Sequence, residues 1–126
     1  MKTSELKDLA LDWAVTSIED PDALEYGVGD WREQRRSKTK NGEYIHRYHQ
    51  SWGQGGPIIE ANTILLDRTV RPDGVWDTSW KARMVRKVSD GWASDYGIGS
   101  SPLIAAMRCY VASRLGDEVE IPEELS

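Results

Sequence analysis

Residues 51–60 read Ser-Trp-Gly-Gln-Gly-Gly-Pro-Ile-Ile-Glu, and they hold residue types suited to gripping a flat, phosphate-bearing ligand. Glycine lets backbone N–H groups come close to a ligand, and clustered N–H groups can hold an anion. Gly53, Gly55 and Gly56 supply that bare backbone. Trp52 offers a ring on which a base stacks. Gln54 carries both a donor and an acceptor, enough to read a base edge or a ribose hydroxyl. The competing reading is a tight glycine-rich turn entering a strand at Ile58 and Ile59, with Trp52 in the core.

Two further stretches offer related chemistry. Residues 97–103, Gly-Ile-Gly-Ser-Ser-Pro-Leu, lead onto a helix N-terminus, where free N–H groups and the helix dipole attract anions. Ser100 and Ser101 add hydroxyls there; ordinary N-capping by Ser, with Pro102 at the first helical position, is the stronger competing reading. Between Trp31 and Gln50 lie Arg32, Arg35, Arg36, Lys38, Lys40 and Arg47, against only Glu33 and Glu43. This basic stripe is interleaved with Tyr44, His46, Tyr48 and His49. Arginine binds phosphate through a planar fork and aromatic rings stack bases. A solvated, charged hairpin that discourages edge pairing is the alternative.

Other chemistries find less support. His46 and His49 stand three residues apart, so on a strand they point to opposite faces, and a zinc site with Cys109 is not expected. No nucleophile-elbow, phosphate-loop or dinucleotide fingerprint occurs. The chain is therefore expected to bind without catalysis, metal or cofactor.

These residues need a scaffold. The chain has 126 residues, which fits a single domain over 1–126 with a short acidic tail from about 117. Its net charge is −5, unlike a free-standing duplex-DNA binder, so the basic stripe is a local feature of an acidic whole. Phe is absent and Trp occurs six times, so Trp must serve both core and any stacking surface. The single cysteine, Cys109, forms no internal disulfide and reads as a small core residue in a reducing compartment. The first residues are interrupted by charges, and no window approaches a membrane span.

Leu6, Leu9, Ala10, Trp13 and Ala14 recur at helical spacing after a cap at Thr3 or Ser4, with Glu5 in the first turn. A loop follows around Pro21. From Glu25 to Tyr96 the pattern reads as strands and turns. One hairpin is expected about Asn41-Gly42, with Tyr44, His46 and Tyr48 alternating with Ile45, Arg47 and His49. Residues 57–67 give two short apolar pieces, and 71–74 a turn. A second hairpin joins 75–86 to 91–96 near Ser89-Asp90-Gly91. Ser100 or Ser101, Pro102 and Gly116 then bracket a closing helix, with Ile104, Met107, Val111 and Leu115 as its apolar stripe, widened by Leu103 and Tyr110. Helix, strands and helix predict an α+β fold, a mostly antiparallel sheet with an N-terminal and a C-terminal helix packed on one face.

Three blocks also carry a family resemblance: residues 1–15 (MKTSEL…ALDWAV), 52–60 (WGQGGPIIE) and 101–125 (SPLIAAMRCYVASRLGDEVEIPEEL). Together they resemble the NinX-like family of small phage proteins. The resemblance implies a phage-encoded accessory protein acting in the cytoplasm of an infected bacterium, and it names no reaction. It also implies an Asp immediately before the Trp of the central block, where this chain has Ser51.

Residue types and phage origin together lead to one favoured expectation: a protein that sequesters a small nucleotide-type signal of host antiviral immunity. Trp52, Gly53, Gln54, Gly55 and Gly56 would carry it, with Arg35, Arg36, Arg47, His49, Ser100 and Ser101 in support. A homodimer would present the same groups twice to a symmetric ligand. Two other readings stay open. The acidic clusters at Glu19, Asp20, Asp22 and Glu25 and at Asp117, Glu118 and Glu120 would suit a module that inhibits a host defence protein. The basic hairpin would suit single-stranded nucleic acid.

Overall fold

In the computed structural model the described residues are 1–126, the side chain of Trp76 excepted. Among them, four α-helices and one three-stranded antiparallel sheet make an α+β fold. In chain order these are α1 (Asp8–Glu19), α2 (Val28–Gln34), α3 (Trp52–Asn62), β1 (Leu65–Val70), β2 (Trp76–Val88), β3 (Gly91–Gly99) and α4 (Pro102–Leu115). The strands lie in the order β1-β2-β3. No helix among the described residues is long and apolar enough to cross a membrane.

The closing half follows from its local chemistry. Arg71 N–H donates to the Val75 carbonyl across the 71–74 turn at 2.9 Å. Gly91, at φ +134°, ends the tight link from β2 to β3, a conformation glycine takes without strain. Ser101 is the N-cap of α4 and its Oγ accepts from Ile104 N–H at 3.1 Å. Pro102 opens the helix and Gly116 at φ +84° closes it.

Helix α4 is the centre of the molecule. One side lies on the sheet, and α1 packs against it from the N-terminal half. Its buried residues are Leu103, Ala105, Ala106, Met107, Cys109, Tyr110 and Val111, whereas Leu115 is exposed. The expected single stripe is thus displaced and broadened, because the helix is covered on two sides. Small residues make the sheet contact possible. A Cβ on Gly97 would overlap the Ala105 carbonyl and stand 2.5 Å from Cys109 N, and one on Gly99 would stand 2.6 Å from Ile104 Cγ2. The segment after α4 returns to the N-terminus: Thr3 N–H donates to the Asp117 carbonyl and Val119 N–H to that of Met1.

Three expectations about the first half are corrected. Lys7, not Thr3 or Ser4, is the N-cap of α1; the Thr3 hydroxyl instead donates to the Gly116 carbonyl at 2.6 Å. The basic hairpin does not form. Its first arm is α2, which buries Trp31 completely, and the only pairing across Asn41-Gly42 among the described residues is an isolated bridge between Lys38 and Tyr44. The reason is that Arg35 and His49 turn inward to the buried Asp12 carboxylate, and His46 turns inward to Gln34, rather than alternating on a strand. Finally, the glycine-rich block is neither loop nor strand entrance but the first two turns of α3. Contacts with α4 and with the 44–47 segment override its weak helix propensity.

Candidate functional site

Helix α3 begins without a side-chain cap. Ser51 is the N-cap and its hydroxyl makes no capping bond; its carbonyl accepts from Gln54 N–H at 3.1 Å and Gly55 N–H at 2.8 Å. Trp52 and Gly53 are left with N–H groups that have no partner among the described residues. Such orphan donors, together with the helix dipole, attract anions. Beside them opens a recess of about 330 Å³, lined by Gly42, Glu43, Tyr44, Arg47, Gln50 and Ser51. The Trp52 side chain stands at this helix end, 55% exposed.

Arg47 supplies positive charge to the recess. Its guanidinium lies 4.8 Å from the Tyr44 ring centre and donates through Nη2 to the Arg35 carbonyl at 3.2 Å. Its Nε is buried without a partner. Glu43 opposes it. A Cβ on Gly53 would sit 2.6 Å from Glu43 Oε2, so the carboxylate rests against the first turn of α3. An incoming anion must displace this exposed, flexible side chain.

The three glycines differ. Gly53 makes room for the Glu43 carboxylate. Gly55 is buried where a Cβ would lie 2.6 Å from Leu103 Cδ2 and 2.7 Å from the Tyr48 carbonyl, so it permits the α3–α4 approach. A Cβ on Gly56 meets nothing within 4 Å. Gln54 is also structural: its Oε1 accepts from Arg47 N–H at 2.8 Å, and its Nε2 donates to the Tyr44 carbonyl. It ties the 44–47 segment to α3, so each end of its amide already makes one bond within the fold.

The expected supporting residues divide. Arg47 joins the recess. Arg36 is exposed at the end of α2 and pairs with Glu33 at 3.1 Å. Ser101 is spent on capping α4, and Ser100 sits in the exposed approach to that helix. Arg35 and His49 are core residues, so neither can meet a ligand at α3. Both bind Asp12, which is 0% exposed: Arg35 Nη1 donates to Oδ2 at 2.7 Å, and His49 Nδ1 lies 2.7 Å from Oδ1. Arg35 also donates to the His46 carbonyl and stacks 4.8 Å from the Trp31 ring centre.

Reasoning from the sequence missed this buried polar cluster. Trp31 Nε1 donates to Thr16 Oγ1 at 3.3 Å, and that hydroxyl donates to the Asp12 carbonyl at 2.7 Å. His46 Nε2 lies 3.1 Å from Gln34 Oε1. Burial holds His46 below its ordinary pKa, so it is neutral near neutral pH. The available signal was Asp12 itself, an acid set inside the apolar run Leu9-Ala10-Leu11-Trp13-Ala14. His46 Nδ1 is buried without a partner, and the remaining bonds of the cluster clamp α1, α2 and the 46–49 segment together. Cys109 is the inert core thiol expected: burial, then the nearby Asp95 carboxylate, pushes it up to about 12.

No curated protein matches the chain. The family described as Bacteriophage P22, NinX, matches residues 2–114. That span runs from the first residues through α1, the buried cluster, the uncapped helix α3, the whole sheet and nearly all of α4. The chain therefore belongs to the NinX family of phage proteins.

Proposed function

We propose that this phage protein binds and sequesters a small, phosphate-bearing nucleotide-type ligand at the N-terminus of α3, without acting on it chemically. The observation that supports this reading most is the set of uncapped Trp52 and Gly53 N–H groups beside a recess that contains Arg47. A phosphate placed there gains two backbone donors, the helix dipole and a guanidinium. The exposed Trp52 ring is then within reach of an attached base. Catalysis has no place in the proposal because His46 and His49 are buried and engaged away from the recess. A signal nucleotide of host immunity is the proposed ligand class, since a phage gains by removing it. A two-fold dimer would give a symmetric ligand two equal ends.

The test is thermal unfolding of the purified protein against cyclic mono-, di- and trinucleotides and cyclic ADP-ribose isomers. A ligand at a hundred times its dissociation constant adds roughly 2.7 kcal/mol, a rise in Tm on the order of 10 °C. The expected result is a rise with one nucleotide class that Trp52→Ala and Arg47→Ala each abolish. A flat response to the whole panel contradicts the proposal and turns attention to a protein partner.

A further inference from the structure

The sheet has a second face that α4 does not cover. Along β2, Ala82 and Met84 are buried beneath α4, so Lys81, Arg83, Val85 and Lys87 point the other way. The register extends this face in rows. Leu65, Arg83 and Tyr96 lie side by side, then Asp67, Lys81 and Ile98; Val85 stands beside Ser94 and Lys87 beside Trp92. Trp92 is 71% exposed, and Leu65, Tyr96 and Ile98 are each at least half exposed.

The charge on this face runs against that of the molecule. Lys81, Arg83 and Lys87 face Asp67 as the one acid in those rows, in a chain of net charge −5. None of the three cations has an ion-pair partner among the described residues. Lys81 Nζ lies 4.9 Å from the Tyr96 ring centre, holding a cation beside an aromatic face. Trp92 and Tyr96 are four residues apart on one strand, roughly 13 Å. The face is thus a flat strip of aromatic rings flanked by unpaired cations.

From this charge complementarity we infer that the open sheet face binds single-stranded DNA. Bases stack on Trp92 and Tyr96, and phosphates meet Lys81, Arg83 and Lys87. A duplex keeps its bases stacked inside and cannot use the rings. Only Ser94 and Tyr96 carry neutral hydroxyls in these rows, few partners for the 2′-hydroxyls spaced along an RNA strand. A second copy of this chain fits less well, because a two-fold face-to-face contact sets Lys81, Arg83 and Lys87 against their own counterparts.

Quenching of tryptophan fluorescence by oligo(dT) of about a dozen nucleotides tests the inference, within the roughly 4–16 nucleotides of known single-strand sites. Binding is expected at low salt, with log Kd rising against log salt at a slope of about 2, from three phosphate contacts. Polarisation of a labelled strand should show Trp92→Ala and Arg83→Glu each weakening binding roughly tenfold or more, and Tyr26→Ala, at an exposed ring off the sheet, leaving it unchanged. These residues are exposed, so the variants retain the fold. No binding at low salt overturns the inference, as does binding that survives both substitutions. A tenfold preference for oligo(U) overturns it too, as does a dimer in sedimentation that Trp92→Ala dissolves.

Discussion

Gly55 and Gly56 are adjacent in sequence and opposite in consequence. Gly55→Ala forces a methyl against Leu103 Cδ2 and the Tyr48 carbonyl, and the carbonyl cannot swing aside. Urea unfolding should show a loss of about 1–3 kcal/mol. Gly56→Ala meets open space and replaces a poor helix former, so it should gain about 0.5–1 kcal/mol. Equal losses at both positions would contradict this reading of α3. Ser51 belongs to the same scale. The family resemblance implies Asp at this position, which is the N-cap of α3. An Asp there can accept from the first-turn N–H groups. Ser51→Asp should therefore stabilise the protein by about 0.5–1 kcal/mol and weaken anion binding at the same donors. A variant that binds nucleotide more tightly than the parent would count against α3 as the ligand site.

At the scale of elements, the buried cluster decides how the first half folds and how it responds to acid. His46 is held neutral by burial and takes a positive φ of 56°. Its folded pKa lies below the ordinary 6.5, so the unfolded chain binds the proton more readily. Stability from this group is present above about pH 6.5 and is lost as pH falls from there towards the folded pKa. Denaturation midpoints should drop as pH falls below about 6.5. His46→Asn tolerates the positive φ and should flatten that drop even if the starting stability is lower. An unchanged pH slope would remove His46 as its source.

Legibility in the sequence follows the same division. The β2–β3 hairpin and α4 are set by local signals: a glycine turn, a serine cap, a proline start and a glycine stop. The alternation Lys81-Ala82-Arg83-Met84-Val85 likewise marks one open face and one covered face. By contrast, α2 and α3 contain glycines that weaken any local helix signal. They exist because Trp31 and Ile58 are buried and Arg35 reaches Asp12, contacts that span long stretches of chain. For the site, Trp52 and Arg47 were visible as residue types. The diversion of Gln54, Arg35 and His49 into structural bonds was not, since only the fold decides which polar groups are already paired.

Across the whole molecule, charge is arranged by surface rather than by segment. The basic stripe of residues 32–47 is dispersed by folding: Arg35 goes inside, Arg36 pairs with Glu33, and Arg47 remains at the recess. The cations that stay together are those of the sheet face. The proposed ligand site and the proposed single-strand face thus use different residues, and they can be read apart in one experiment. That experiment is an amide chemical-shift titration of the labelled protein with inorganic phosphate at millimolar concentration. The account predicts that the Trp52 and Gly53 amides and the Arg47 Nε–H move first, with Lys81, Arg83 and Lys87 nearly still. Amides of α3 that do not move while phosphate perturbs other positions, or none at all, would contradict the claim that the N-terminus of α3 is a phosphate-binding site.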